Sequence, residues 1–323
     1  MPIPAVLEGR LSLPVIGSPL FIVSGPDLVI AQCKAGIVGS FPSLNARPSH
    51  VLDEWLTRIE TELAAFQAAN PGAKVAPYAV NLIVHVSNNR LEEDIAICAK
   101  HKVPIIITSL RAPAAVVEAV HGWGGIVLHD VINIRHAKKA LGEGVDGLIL
   151  VCAGAGGHAG TLNPFALVSE VRQFWEGPIA LSGAIANGAS ILGAQAMGAD
   201  LAYIGTRFIA TEEANAMPAY KQALVDASAK DIVYSSLFTG VHGNYLAPSI
   251  RAAGLDPDNL PSADKSTMDF GSGGNTDAKA WKDIWGAGQG TGSIQAVLPA
   301  GEVVARLRKE YAEAQDRMMK VAF

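Results

Sequence analysis

A histidine set among glycines is the first place where this sequence could do chemistry. Residues 153–160 read Ala-Gly-Ala-Gly-Gly-His-Ala-Gly and follow a short apolar run. Gly156 and Gly157 leave room for a flat ligand beside the backbone, and an imidazole exchanges its proton near neutral pH. His158 is therefore a candidate catalytic acid or base, with an ordinary surface-loop histidine as the alternative.

Two glycine-rich turns at later strand ends suit an anion. Ser182-Gly183-Ala184 and Gly205-Thr206 each follow an apolar β-branched run, one βα unit apart. Backbone N–H groups in such turns can approach a phosphate, and the positive end of a following helix dipole adds to the attraction. In a (β/α)8 barrel the phosphate site lies after the last two strands. The pattern therefore predicts a phosphorylated ligand.

Other side chains at strand ends could contact a ring. Asn81 interrupts an apolar run, and its amide suits the edge of a pyrimidine-like ring, although a structural hydrogen bond is the alternative. His129 and Asp130 end the fifth predicted strand and could contact a ring, a substrate or only their neighbours. Small residues at the end of the first strand would admit a ring system or form an ordinary turn: Gly17, Ser18, Pro19 and Leu20.

The last third of the chain carries polar and aromatic residues on a loop-rich background. Residues 231–295 include Gly271-Ser272-Gly273-Gly274, which is typical of a lid or a ligand loop. His242 and Tyr245 form a polar and aromatic group that would suit a substrate pocket. Trp285 and Gln289 stand in a second glycine-rich segment and could line a ligand.

The elements that must position these residues alternate between strand and helix. Predicted strands cover 14–19, 37–43, 78–84, 105–109, 126–131, 147–152, 179–185 and 201–208, and predicted helices include 51–69, 91–101, 114–121, 135–141 and 167–175. Eight short apolar strands with intervening helices favour a (β/α)8 TIM barrel over an open sheet. We expect a barrel over 1–212, a small substrate domain over 213–295 inserted after strand 8, and a C-terminal helix over 296–323 that returns to the barrel.

Composition excludes several classes of protein. The 323 residues are 50% hydrophobic and 17% charged, with a net charge of −5, which fits a packed domain and argues against nucleic-acid binding. Apolar runs stay short of the roughly 18 residues of a membrane span, and no secretory signal pattern opens the chain. Three widely spaced cysteines predict buried, reduced thiols in a cytoplasmic protein. No metal-ligand spacing, Walker A loop or nucleophile elbow is present in the sequence.

Taken together, these motifs resemble the nitronate monooxygenases, formerly called 2-nitropropane dioxygenases. Ala155-Gly156-Gly157-His158 looks like the family's Ala-Gly-Gly-His loop, and residues 182–185 and 205–208 resemble its two phosphate turns. Asn81 falls where the family has an asparagine on strand three, and Gly288-Gln289 resembles a late glutamine segment of part of the family. The resemblance runs from residue 14 to about residue 291.

The resemblance implies a barrel that binds FMN without a covalent bond. Gly183, Gly205 and Thr206 would hold the phosphate, and Asn81 with residues 17–20 would approach the isoalloxazine ring. His158 would be the catalytic base or the group that positions the nitronate. The implied reaction is oxidation of an alkyl nitronate, such as propionate 3-nitronate, by oxygen to a carbonyl compound and nitrite.

Departures from the family pattern leave other functions open. No carboxylate stands near the Ala-Gly-Gly-His loop, Ala184 replaces a glycine, and His129-Asp130 replaces a lysine or threonine of some members. An NAD(P)H-dependent flavin reductase acting on quinones or enoyl thioesters would share the same flavin motifs. A protein that binds FMN without catalysis and a barrel that acts on phosphorylated sugars are weaker alternatives. A homodimer is possible.

Overall fold

A closed eight-stranded barrel forms the body of the protein in the computed structural model, which describes residues 3–111, 113–261 and 283–321. Its strands are β1 (Val15–Gly17), β2 (Gly39–Pro42), β3 (Tyr78–Val84), β4 (Ile105–Leu110), β5 (Ile126–Val131), β6 (Gly147–Val151), β8 (Ile179–Ser182) and β9 (Leu201–Ile204). All neighbouring strands pair in parallel, and a bridge between Ile16 and Val38 joins β1 to the segment that enters β2. The predicted TIM barrel is confirmed.

Helices alternate with the strands and cover the barrel. They are α1 (Pro26–Lys34), α2 (His50–Ala69), α3 (Leu91–Lys100), α4 (Ala114–Gly122), α5 (Ile134–Gly142), α6 (Pro164–Arg172), α7 (Gly188–Ala196), α8 (Thr206–Ile209), α9 (Pro218–Asp226), α10 (Ala247–Ala252) and α11 (Ala300–Met319). Asn187 caps α7, because its side chain accepts a hydrogen bond from Ser190 N at 2.8 Å. The long α11 packs against both α7 and α1, so it occupies the place of the eighth barrel helix.

Several predicted strands are longer than the observed ones, such as 179–185, which ends at Ser182, and two further boundaries are wrong for local reasons. The last strand ends at Ile204 and not at Phe208, because the chain turns at Gly205 and begins the short helix α8 at Thr206. The helix predicted from residue 167 begins at Pro164, where Asn163 accepts a hydrogen bond from Phe165 N and proline fits the first turn.

Each barrel strand is buried on both faces, as parallel strands between helices must be. Alternate residues point into the barrel, where Ile16, Ala79, Ile107, Leu128 and Leu201 pack together. Residues between them face the helices, such as Val80, Ile106 and Val127. This alternation decides which side chains at the strand ends can share a site.

A second, three-stranded antiparallel sheet stands over the carboxyl end of the barrel. It consists of β7 (Gly157–His158), β10 (Ile232–Ser235) and β11 (Gly243–Leu246), with β11 in the centre. Tyr245, Ile250 and Ile284 form its own small core. The predicted glycine run 271–274 lies outside the described residues. Nowhere in 3–111, 113–261 or 283–321 is a helix both long and apolar enough to cross a membrane.

Candidate functional site

A layer of polar side chains closes the barrel interior at its carboxyl end. Asn81, Ser109 and Asp130 stand two residues beyond the apolar inward positions of their strands, so they point into the barrel as well. Asn81 Nδ2 donates to Ser109 Oγ at 2.9 Å and to Ile107 O at 3.1 Å, and Ser109 Oγ donates to Asp130 Oδ2 at 2.5 Å. Asn81 therefore uses both amide hydrogens internally and has Oδ1 left to accept a hydrogen bond from a ligand.

Burial shifts the pKa values of the titratable side chains in this layer. It raises the pKa of Asp130 to about 6, although hydrogen bonds from Ser109 and from the Leu110 backbone favour the ionised form. Tyr203 of β9 also points inward, and burial together with the nearby Asp130 carboxyl raises its pKa well above the usual value, while a hydrogen bond with Ser18 acts in the opposite direction. The layer thus holds no cation among the described side chains, and its one carboxyl group changes charge near pH 6.

His129 does not belong to this layer. It lies between the inward residues Leu128 and Asp130, so its ring faces the helices, where Nδ1 is 2.8 Å from Thr108 Oγ1. Burial and the neighbouring His136 lower its pKa to about 4, so the ring is neutral at pH 7. The expectation that His129 contacts the cofactor conflicts with this orientation, because strand alternation sends adjacent residues to opposite faces.

Four glycine-containing segments meet above the last barrel strands. Gly154 O accepts hydrogen bonds from Ala184 N at 3.3 Å and from Gln289 N at 2.9 Å, and Thr206 Oγ1 accepts one from Gly288 N at 2.9 Å. The loop after β6, the turn after β8, the turn after β9 and the late glycine segment are therefore held together. The sequence-predicted residues of these four segments lie side by side.

The turn after β8 contains two consecutive residues with positive φ angles. Gly183 has a φ of 138°, and Ala184 has a φ of 55°, a left-handed value that is uncommon outside glycine. A Cβ on Gly183 would come within 2.8 Å of Ala153 O, so only glycine fits there. Within the described part of the chain, the N–H groups of Gly183, Gly205 and Thr206 donate to no other residue. This supply of unused donors fits the phosphate of a nucleotide cofactor.

Residues 17–20 border the same turn. Ser18 N donates to Ile204 O at 2.9 Å, and a Cβ on Gly205 would lie 3.2 Å from both Ser18 Oγ and Leu20 Cδ2. Gly17 is buried at the end of β1, where a Cβ would meet the side chain of Gln32 on α1. Ser18 and Leu20 therefore lie next to Gly205, while Gly17 faces the helices.

His158 lies in β7, where the loop after β6 joins the second sheet. Its Nε2 is 2.8 Å from Thr239 Oγ1, and that hydroxyl donates to Val241 O at 3.0 Å. When the hydroxyl hydrogen is donated to Val241 O, the Thr239 oxygen accepts a hydrogen bond from His158 Nε2–H. Burial lowers the pKa of His158 to about 4, so the ring is neutral at pH 7 and can accept a proton.

Sequence reasoning missed two residues that fix this histidine loop. Thr239 orients the ring of His158, and Asn244 Nδ2 donates to Ala155 O at 2.6 Å. Neither belongs to a motif, although Asn244 lies inside the segment 241–245 that the sequence singles out. Gly243 pairs with His158 across the sheet, which explains why this segment reaches the loop.

The predicted substrate residues occupy different places. Tyr245 is buried in the core of the small sheet and meets Phe238 edge to face at 4.9 Å, so it supports the sheet and does not line an open surface. His242 is exposed and stacks on Tyr234 at 5.1 Å. Trp285 stacks on Tyr220 at 5.0 Å, which anchors the glycine segment that carries Gln289. His242 is thus exposed, Trp285 is half-buried and Tyr245 is buried.

Metal ligands and reactive thiols do not form a second centre in the part of the chain that the structure describes. No group of three or more His, Cys, Asp or Glu side chains within it could hold a metal ion. Cys33, Cys98 and Cys152 are free and buried, and burial raises the pKa of each thiol. They behave as core side chains.

Comparisons with known proteins agree with this geometry. A family model described as nitronate monooxygenase matches residues 10–310. A nitronate monooxygenase of Paraburkholderia phytofirmans is 26% identical, covering 96% of this chain and 95% of its own. A carboxyl-CoA dehydrogenase of Rhodococcus jostii is 24% identical over 71% of this chain and 61% of its own.

A solved structure has the same fold. The nitroalkane oxidase of Streptomyces ansochromogenes superposes with a TM-score of 0.78 at 23% identity, and the match covers 97% of this chain and 100% of that one. The family model spans nearly the entire chain, including the histidine loop and both phosphate turns. The chain therefore belongs to the nitronate monooxygenase family of oxidoreductases.

Proposed function

We propose that the protein is an FMN-dependent enzyme that oxidises alkyl nitronates, such as propionate 3-nitronate, with oxygen to a carbonyl compound and nitrite. The observation that carries this proposal is the convergence of His158 with both phosphate turns through one loop. Gly154 of that loop binds Ala184 and Gln289, and His158 follows four residues later. A flavin held by these turns would have the imidazole close by.

The donors of the site fit FMN. Gly183, Gly205 and Thr206 offer backbone N–H groups to the phosphate, and Gly156, Gly157, Ser182 and Gln289 border the same cradle. Asn81 Oδ1 would accept a hydrogen bond from an N–H group on the edge of the ring, because its own hydrogens are already used. The bound flavin would supply the electron-accepting chemistry, which no side chain can provide.

His158 would act as the base when the substrate enters as a neutral nitroalkane, because a neutral imidazole can take the α-proton of that compound. A nitronate has already lost this proton, so His158 would then only position it. The lowered pKa disfavours the alternative in which a protonated His158 attracts the nitronate by charge at pH 7. Thr239 would fix the orientation of the ring.

A second function receives support from the apolar rim of the barrel. Val86 and Ile132 follow the carboxyl ends of β3 and β5, Leu110 ends β4, and Phe165 lies in the first turn of α6; each is exposed. Such a rim would suit the acyl chain of an enoyl thioester, and one relative is a carboxyl-CoA dehydrogenase. An NAD(P)H-dependent reductase therefore stays the competing proposal.

The second domain, the cellular location, the partners and the assembly of the protein belong to the same proposal. Residues 213–295 would form the substrate domain above the barrel, with His242 and Trp285 on its side, and 296–323 would serve the barrel as its last helix. Three buried free thiols support a cytoplasmic location. Oxygen and one small substrate are the proposed partners, and a homodimer is the proposed assembly.

Product analysis under steady-state conditions tests the proposed function. The purified protein with saturating FMN is mixed in air with propionate 3-nitronate, and nitrite and oxygen are measured together. We expect nitrite to appear while oxygen is consumed, without any nicotinamide. Turnover of an enoyl thioester with NADH or NADPH, and none with the nitronate, would favour the competing proposal.

A further inference from the structure

A polar pocket lies on the outer side of the phosphate turns, between the start of α7, the short helix α8 and the middle of α11. Its volume is about 330 Å³, which is enough for a small ligand. Its polar lining includes Asn187, Arg207, Ser293, Arg306 and Glu310. None of these residues has a part in the proposed flavin chemistry.

Arg207 is the unusual member of this lining. Its side chain belongs to a residue only 6% exposed, and its Nη1 is buried without a hydrogen-bond partner. No carboxylate of the described residues lies within 4.0 Å of its guanidinium. Burial lowers the pKa of Arg207, with Arg306 acting in the same direction and Glu310 opposing it. An arginine stays protonated in proteins, so this charge is buried and lacks a close counter-ion.

The nearest carboxylates are already engaged elsewhere. Glu310 Oε2 accepts a hydrogen bond from Gly188 N at 2.8 Å, which holds it at the first turn of α7. Glu302 forms an ion pair with Arg306 at 2.6 Å on the exposed face of α11. The pocket therefore contains the buried cation of Arg207, the paired cation of Arg306 at its edge and the carboxylate of Glu310, which is held by Gly188 N. Asn187, Ser293 and Gln295 add neutral hydrogen-bonding groups.

We propose that this pocket binds a phosphate-type dianion, either inorganic phosphate or a phosphate monoester. Arg207 would be the main ligand, because a desolvated guanidinium binds phosphate oxygens strongly, and Arg306 would add a second positive charge. The site is separate from the flavin cradle and does not depend on the proposed function. Thr206 anchors the glycine segment, while the next residue, Arg207, faces the pocket.

Calorimetric titration of the protein tests the proposal. The protein is first saturated with FMN, so that the cradle is filled, and is then titrated with inorganic phosphate or glycerol phosphate at constant ionic strength. We expect one binding event per chain for at least one of the two ligands. Tighter binding of glycerol phosphate would identify a monoester as the ligand, tighter binding of phosphate would identify the free anion, and binding of neither would overturn the proposal.

Variants separate a ligand-binding arginine from a structural one. Arg207→Met should reduce phosphate affinity at least tenfold, Arg306→Gln less, and Lys309→Gln, on the exposed face of the same helix, should leave it unchanged. Without phosphate, Arg207→Met should unfold at the same or a higher temperature than the parent protein, because it removes an uncompensated buried charge. A lower unfolding temperature of Arg207→Met, together with unchanged phosphate affinity, would show that Arg207 is only structural.

Discussion

The two ends of the barrel interior use the same strands for opposite purposes. At the amino end, Ile107 and Leu128 pack in an apolar layer, and two residues further along the same strands Ser109 and Asp130 form a hydrogen-bonded polar layer. A step of two residues along each strand separates the core from the candidate site. Because the two layers share the same strands, the tight packing of the apolar layer also keeps the polar layer rigid.

This comparison predicts a division of effects between the two ends. Substitutions in the apolar layer should change the free energy of unfolding and leave flavin binding and turnover nearly intact. Substitutions at the carboxyl end should change binding, turnover or pH dependence more than stability.

The largest effect is expected at the turn after β8. Gly183→Asp should abolish FMN binding, because its side chain would meet Ala153 O and its charge would oppose a phosphate. Gly183→Asn is the matched control, with nearly the same bulk and backbone strain but no charge. Flavin absorbance after gel filtration measures retention, and full retention of FMN by Gly183→Asp would show that the phosphate site lies elsewhere.

The next effect is expected at the histidine loop. His158→Ala should keep bound flavin but lose turnover of a neutral nitroalkane by about 10² to 10⁴, which is typical for removal of a general base. In the parent protein, turnover should decline as the pH falls towards 4, because protonated His158 has no basic nitrogen. Steady-state rates and a flavin titration check both points, and unchanged turnover of His158→Ala would remove this residue from the mechanism.

The apolar layer should respond in stability alone. Ile107→Ala should lower the free energy of unfolding by about 2 to 5 kcal/mol, and Ile107→Val by about 0.5 to 1.5 kcal/mol, since each leaves a cavity of different size. Urea unfolding measures the loss, and FMN affinity at a temperature where both variants are folded should match the parent protein. A large loss of FMN affinity in Ile107→Val would contradict the expectation that the apolar layer affects stability and not flavin binding.

The smallest effect concerns Asp130 and depends on pH. Since its folded pKa is about 6 and its usual value is 3.8, the folded protein binds the proton more tightly, and this contribution to stability is lost as the pH rises through 6. Asp130→Asn should therefore gain up to about 3 kcal/mol relative to the parent protein between about pH 4 and pH 7. The free energy of unfolding of both proteins is measured at pH 4 and at pH 7. A difference between the two proteins that does not change with pH would contradict the raised pKa.

Much of the fold and of the candidate site could be predicted because its signals are local. Short apolar strands, the glycine turns and the histidine loop are continuous in sequence, and their meeting point follows from barrel geometry. The orientation of His129 and Asp130 could not be predicted in the same way. An error of one residue in the strand register moves each side chain to the opposite face of the sheet. Residue type alone made both equally plausible.

Long-range contacts account for what the sequence did not reveal. Thr239 meets His158 across 81 positions of the chain, and the two-residue strand β7 has no periodicity of its own. The burial of Tyr245 and the isolation of Arg207 depend in the same way on how distant helices pack. Propensity and motif carry no information about such partners.

Anaerobic mixing tests most directly whether a nitronate reduces the flavin bound to this protein. The protein with bound FMN is mixed without oxygen with propionate 3-nitronate, and in a parallel sample with NADH or NADPH, while the flavin absorption band is followed. We expect the band to bleach rapidly with the nitronate alone, and more slowly in His158→Ala, which lacks the group that positions the nitronate. Rapid bleaching by the nicotinamide alone, or a protein that binds no flavin, would contradict this expectation.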